Sequence, residues 1–340
     1  MKHTLSEKQG ERLVAVLTAL LFLFAAAYAA LRHYIRAPQV APDPPPQRTV
    51  TTQLLDPSSA PADNSDSAEL PAAQERKENC FTILVSGLDN DNGGSDTNIL
   101  VCFNGQTRAI SLVSLPRDTL LHHTWASNKL NFAYNKGGTA LLQEEIANLL
   151  GIPVDFYVTV DLKGFVALVD QVGGIDFDVP VDMDYDDPEQ NLHIHLRKGR
   201  QHLSGTQAMG VVRWRKNNDG SGYAAADIGR IGTQQAFLNT AAHQILGSIG
   251  VDDVAGLVSI FASYVKTDLT TGNLVWLGTQ ALDFGLDSVQ YLTLPGDGSA
   301  RYRGESVYAL DPESTLALVN EALNPYVAPI TREDMDILVP

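Results

Sequence analysis

The sequence predicts an α/β domain in which helices cover a β-sheet. Short apolar runs interleave with helical stripes from Cys80 onward, and this alternation places helices against a sheet. Charged residues fall at the ends of the apolar runs, where α/β sheets carry ligands. The length, 340 residues, suits one large domain plus an anchor and a linker.

The apolar run Leu13–Leu31 (LVAVLTALLFLFAAAYAAL) carries no charge. As a helix it reaches roughly 28 Å, close to the ~30 Å hydrocarbon core. It reads as a transmembrane anchor rather than a cleaved signal, although Ala27-Tyr28-Ala29 resembles a cleavage site. Either reading exports the remainder. Residues 1–12 form the cytoplasmic end, and residues 32–79 an extracellular linker. From Ala37 to Asn79 it is rich in Pro, Ala, Ser and Asp, so it is expected to be an extended tether. The domain is expected at 80–325, followed by a tail at 326–340.

Within the domain, strands are expected at Phe81–Val85, Asn98–Phe103 and Ala109–Leu115. Thr139–Leu150 is a helix with Leu142, Ile146, Leu149 and Leu150 in one stripe, stopped by Gly151 and Pro153. Val154–Val160 is a strand and Gly164–Val172 a helix. Ile175–Val179 and Leu192–Leu196 alternate as half-buried strands. Val211-Val212-Arg213-Trp214-Arg215 also reads as a strand, which sets Arg213 and Arg215 on one face and Trp214 on the other. A long helix from about Ile228 to Gly247 follows, with Arg230 and Gln234 four apart on one side. Helices near Asn273–Phe284 and Pro312–Leu323 flank a strand at Ser288–Leu294.

The formal net charge is −16, which argues against nucleic acid. A phosphate ligand therefore needs a local basic island. Arg213, Arg215 and Arg230 supply one, since guanidinium forks match phosphate oxygens. Asp89 follows the first strand, Asp96 starts the second, and Arg117-Asp118 follow the third. Carboxylates so placed beside a phosphate commonly hold Mg²⁺. Taken singly, Asp89 and Asp96 read equally as turn caps. His193 and His195 alternate with Leu192, Ile194 and Leu196 and read as the polar face of a strand, with zinc the weaker alternative. Asp182, Asp184, Asp186 and Asp187 read as a solvated acidic loop. Cys80 and Cys102 lie on the first two strands, as a bridge or as two buried thiols.

Eight blocks in series carry a resemblance: G-L-D, S-D-T, S-L-P-R-D-T, K-L-N-F-A-Y, G-G, D-F-Y-V-T-V-D-L-K-G-F-V-A-L-V-D-Q-V-G-G-I, L-R-K-G-R-Q-H-L-S-G-T-Q-A, and V-R-W-R with D-I-G-R-I-G-T-Q-Q. Together they resemble the LytR-CpsA-Psr family. The resemblance implies a three-layer α-β-α sandwich with a central mixed sheet behind one N-terminal transmembrane helix. It implies a single-pass cell-membrane enzyme facing the cell wall. Such an enzyme moves an anionic glycopolymer, wall teichoic acid or capsule for example, from undecaprenyl pyrophosphate to peptidoglycan with Mg²⁺ or Mn²⁺. Carried over, Asp89 and Asp96 hold the metal, Arg213 and Arg215 bind pyrophosphate, and Arg117, Arg230 and Gln234 contact the head group. Asp118 orients Arg117 or acts as base. Two positions depart from the pattern: Gly94 stands where the family commonly has arginine before S-D-T, and Thr233 stands where it has arginine before Gln234-Gln235. Lys129 or Arg117 could rebuild the pocket. A lipid-pyrophosphate hydrolase and a non-catalytic carrier-binding protein remain open as alternatives.

Overall fold

A computed structural model describes residues 34–40, 74–88, 94–188, 192–214, 216–222 and 263–340, and nine positions between 232 and 244, without the side chains of Asp96 and Leu286. Leu13–Leu31, most of the linker, Asp89, Arg215, Arg230 and Gln234 lie outside the described residues. Among the described residues no helix is long and apolar enough to cross a membrane.

The central sheet has six strands. They are β1 (Cys80–Leu88), β2 (Ser95–Asn104), β3 (Ala109–Leu115), β4 (Phe156–Asp161), β9 (Val265–Thr267) and β10 (Val289–Thr293), in the order β10-β3-β2-β1-β4-β9. β1 runs antiparallel to β2 and parallel to β4, and β10 runs parallel to β3. The sheet is therefore mixed. The C-terminal ends of β1, β3, β4 and β10 and the start of β2 share one edge.

Both faces of the sheet are apolar, because alternate residues of a strand point opposite ways. Leu84, Leu100 and Val113 pack on one side against α1 (Leu130–Leu150) and the chain's end. Phe81, Ile83 and Phe103 pack on the other beneath Leu274, Trp276 and Leu277 of α4 (Thr271–Phe284). α1 begins earlier than the apolar stripe suggests. Its first two turns are the K-L-N-F-A-Y segment, and Gly138, at φ 67 and ψ −156, interrupts the helix before the stripe. The helix ends at Gly151 in the left-handed region, as such a cap requires. Residues 326–340, expected as a tail, belong to the core: Tyr326, Ile330, Met335 and Ile337 are buried against it, and Asp336 N–H donates to the Asn148 carbonyl at 3.0 Å.

The linker, too, departs from a free tether at its start. Ala37 and Val40 pack under α4, and Asn273 Nδ2 donates to the Arg36 carbonyl at 3.0 Å. Gly272 permits this, since a Cβ there would lie 2.0 Å from the Tyr34 carbonyl oxygen. The docked residues begin only a few positions after Leu31 in the sequence.

A second core gathers α2 (Leu162–Gln171), the ribbon of β5 (Ile175–Val179) with β8 (Gly199–Leu203), the ribbon of β6 (Met183–Asp187) with β7 (Leu192–Leu196), and α3 (Gly205–Arg213). β6 is the segment expected as an acidic loop. It pairs in register with β7, setting Asp184 opposite His195 and Asp186 opposite His193 while Met183 goes inward. Arg200 lies in β8 rather than in a turn, and its side chain is exposed as expected.

The expected strand at Val211–Arg215 is corrected. Gly205–Arg213 is helical, opened by a capping box in which Ser204 Oγ accepts from Gln207 N–H and Gln207 Oε1 accepts from Ser204 N–H. Strand alternation therefore does not relate Arg213 to Arg215. Trp214 caps the helix and is buried, its indole N–H donating to Asn217 Oδ1 at 3.1 Å. Cys80 and Cys102 are buried thiols, with sulfurs 3.8 Å apart.

His202 on β8 gives a pH-dependent contribution to stability. Its Nδ1 lies 2.8 Å from Asp176 Oδ1 and its Nε2 2.8 Å from the Gly173 carbonyl. Only the imidazolium donates to both. The Asp176 carboxylate first, then the carbonyl, raise its pKa above the ordinary value. Arg200 also faces Asp176, at 4.0 Å. The folded pKa exceeds the unfolded one, so the contribution is complete below about pH 6.5 and fades as pH rises through the folded value. Thermal melts should show wild type exceeding His202→Ala in acid and converging with it as pH rises through the raised folded-state value. A difference independent of pH contradicts this.

Candidate functional site

The site is built on the shared edge of the sheet. β1 and β2 stay in register from Cys80↔Asn104 to Gly87↔Thr97, after which Leu88 pairs with Ser95. Asp96 is thus the extra residue of a β-bulge, opposite no partner of its own. Bulges next to sites re-aim the strand and end its pairing. Asp89 is the next residue in sequence after β1.

A buried polar network fixes this corner. Ser86 Oγ donates to Asn98 Oδ1 at 2.9 Å, and Asn98 Nδ2 reaches Ser95 Oγ at 3.2 Å and the Ser95 carbonyl at 3.3 Å. All three residues are buried. Buried polar groups of this kind persist only when satisfied, and satisfied networks rigidify their surroundings. Ser86 and Asn98 face each other across the ladder. Sequence reading missed both as site residues; their signal is polar residues inside two otherwise apolar strands.

Gly94 precedes the bulge at φ +111, a region that disfavours side chains, and a Cβ there would meet Asn135 Oδ1 of α1 at 3.4 Å. The backbone at this point suits the glycine that departs from the family pattern.

Arg117 and Asp118 follow β3 on a turn in which Thr119 N–H and Oγ both donate to the Pro116 carbonyl, at 3.0 and 2.7 Å. This turn supplies the acceptors for the start of α1, as Leu130 N–H donates to the Thr119 carbonyl and Asn131 N–H to that of Arg117. These are helix N–H groups with no partner inside the helix. Asp118 Oδ1 lies 3.3 Å from Lys129 Nζ and 3.7 Å from Arg117 Nε. Both cations are partly exposed, so the three form a basic cluster on the site edge with a net charge of +1. In a chain of net charge −16, this is the local positive island an anionic ligand needs.

At the same edge, Asp161 ends β4 and caps α2, its Oδ1 accepting from Lys163 N–H at 2.7 Å. α3 packs on α2 so closely that a Cβ on Gly205 would reach the Val166 carbonyl. Arg213 is half-buried on the last turn of α3. The structure thus brings Arg117, Asp118 and Lys129 together and sets the Asp96 bulge on the same edge, while Arg213 belongs to the neighbouring core. Asp96 contributes its backbone position alone, and Asp89, Arg215, Arg230 and Gln234 fall outside the described residues.

α1 gives its apolar stripe to the core, with Leu142, Ile146, Leu149 and Leu150 buried. α2 leaves Val166 and Leu168 half-exposed.

The LytR_cpsA_psr family profile matches residues 50–324. The chain belongs to that family. It is 32% identical over 254 residues to the polyisoprenyl-teichoic acid–peptidoglycan teichoic acid transferase TagV of Bacillus subtilis (strain 168), a match covering 71% of this chain and 63% of that relative. The chain thus spans somewhat less than two thirds of that relative's length. The crystal structure of B. subtilis TagV matches with a TM-score of 0.57 at 27% identity, covering 71% of this chain and 94% of that one. Protein gbs0355 of Streptococcus agalactiae matches with a TM-score of 0.61 at 26% identity, covering 71% and 86%. The mixed sheet with its helices is thus the fold of these two structures.

Proposed function

We propose that this chain is a membrane-anchored phosphotransferase that moves an anionic glycopolymer from an undecaprenyl-pyrophosphate carrier to peptidoglycan. The observation that carries the reading is the bulge at Asp96, set on the sheet edge with Asp89 one residue beyond β1 and the Arg117–Asp118–Lys129 cluster at the end of β3. TagV, by its name, acts on polyisoprenyl-teichoic acid and peptidoglycan, and the family membership extends that substrate class to this chain.

An acceptor hydroxyl oxygen attacks the phosphorus that bears the glycopolymer. The P–O–P bond breaks, undecaprenyl phosphate leaves, and the hydroxyl proton passes to solvent or a nearby base. Such a reaction depends on positioning and charge neutralisation rather than on a covalent enzyme group. Arg117, Arg213, Arg215 and Arg230 neutralise pyrophosphate oxygens, and Gln234 donates to the head group. Asp118, held between two cations, orients Arg117 rather than serving as base. The donor set of Asp89 and Asp96, two hard carboxylates at adjacent strand ends, fits Mg²⁺ or Mn²⁺. When bound, such an ion supplies Lewis-acid stabilisation of the charge developing on phosphate oxygens. Val166 and Leu168 offer apolar surface to the polyprenyl chain. Leu13–Leu31 anchors the protein, with the domain on the cell-wall side of the membrane.

A titration of the full-length chain in detergent with a short-chain polyprenyl diphosphate tests this reading. Saturable binding that strengthens with Mg²⁺ and weakens with EDTA is expected. Absence of saturable binding in either condition contradicts it.

A further inference from the structure

We propose that the β6–β7 ribbon carries a second cation site, distinct from the sheet edge, for a divalent transition-metal ion of the Zn²⁺ class. The ligands are Asp186, His193 and His195. The argument begins with register. His193 and His195 are two apart on β7, so both imidazoles stand on its outer face while Ile194 and Leu196 go into the core. β6 sets Asp186 and Asp184 directly across from them. Two imidazoles and two carboxylates thus form a square on one exposed face.

The distances within the square differ in kind. Asp184 Oδ1 lies 2.6 Å from His195 Nδ1. That contact fixes the ring and leaves Nε2 facing Asp186 Oδ1 at 3.4 Å. A tetrahedral ion with ligand bonds of about 2.1 Å has ligand–ligand edges of about 3.4 Å. Asp186 Oδ1 also lies 2.5 Å from His193 Nδ1, a hydrogen bond whose proton the ion would replace. One ligand atom each from Asp186, His193 and His195 falls within 4.8 Å of the others. Asp184 then acts as the carboxylate that orients a metal-ligating histidine through its other nitrogen. The side chains of Asp186, His193 and His195 are all exposed, so water can supply the fourth ligand. Imidazole and carboxylate ligands together suit Zn²⁺ better than Mg²⁺ or Ca²⁺, which take oxygen.

The ribbon is also where the segment after Arg213 is attached. Asn217 Oδ1 accepts from Asp184 N–H at 2.7 Å, and Asn218 Oδ1 accepts from Asp186 N–H at 2.6 Å. Asn218 Nδ2 returns a bond to the Asp186 carbonyl at 3.0 Å. An ion bridging β6 and β7 therefore stiffens the strand that holds this segment.

The test is a Co²⁺ titration of the full chain, followed by visible absorption and competed with Zn²⁺. It is run in the Asp96→Ala background so that the sheet-edge carboxylates do not contribute. One Co²⁺ per chain with a tetrahedral spectrum, displaced by Zn²⁺, is expected. His193→Ala/His195→Ala should lose the spectrum and weaken binding at least tenfold. His193→Gln, a milder change at an exposed position, should weaken it in the same direction. No tetrahedral spectrum in the parent chain, or unchanged affinity in His193→Gln and the double variant, overturns the proposal.

Discussion

Asp96→Ala is expected to abolish transfer while leaving the fold in place. Asp96 is the unpaired residue of the β1–β2 bulge, so its replacement removes no ladder partner. The buried Ser86–Asn98–Ser95 network that holds the corner is untouched. What is lost is one of two carboxylates for the activating cation. Changes to the residues that merely support a metal's ligands already cost ~10–100-fold, so loss of a ligand should cost ~100-fold or more in rate. Thermal melting should shift little. Excess Mg²⁺ should not restore full activity. An Asp96→Ala protein with wild-type transfer, or wild type fully active in excess EDTA, contradicts the assignment.

Arg213→Ala is expected to weaken polyprenyl-diphosphate binding by roughly 30-fold or more. Removing one partner of a desolvated charge pair costs ~2–5 kcal/mol, and ~1.4 kcal/mol is one decade. A purely structural role predicts something else. Arg213 lies on the last turn of α3, where a cation favours the helix dipole by ~0.3–1 kcal/mol. Arg213→Lys separates the two. Lysine keeps the dipole interaction but lacks the bidentate fork. Stability should then recover while affinity recovers only in part. Arg200→Ala, on exposed β8, should change affinity little. Equal affinity in wild type and the Arg213→Ala/Arg215→Ala variant contradicts the arginine clamp.

The central strands were legible because their apolar runs are continuous and bounded by Gly, Asp and Pro. The stripe of α1 was legible too, through Leu142, Ile146, Leu149 and Leu150. Three features were not, each for a physical reason. Val211-Val212-Arg213-Trp214-Arg215 alternates like a strand, and its β-branched and aromatic residues favour one. The helix prevails because Ser204 and Gln207 form a capping box seven residues upstream of Val211, a signal present in the sequence. β6 carries three aspartates, which are poor strand formers, and exists through its pairing with His193 and His195. Residues 326–340 have no periodicity, and Ile330, Met335 and Ile337 are buried by packing that is distant in sequence. At the site, the placement of Asp96 at the start of β2 and of Arg117 just after β3 was legible from position alone. The bulge at Asp96 and the Ser86–Asn98 pair were not, because both depend on the register between two strands.

The most direct measurement is transfer itself. Full-length protein in detergent, Mg²⁺, peptidoglycan and an undecaprenyl-pyrophosphate-linked glycopolymer labelled in the polymer would be incubated together. The account predicts label covalently joined to peptidoglycan, with one undecaprenyl phosphate released per chain transferred, and no transfer in EDTA. Label released into solution as free phosphorylated polymer, with none on peptidoglycan, would make water the acceptor and contradict the transferase reading.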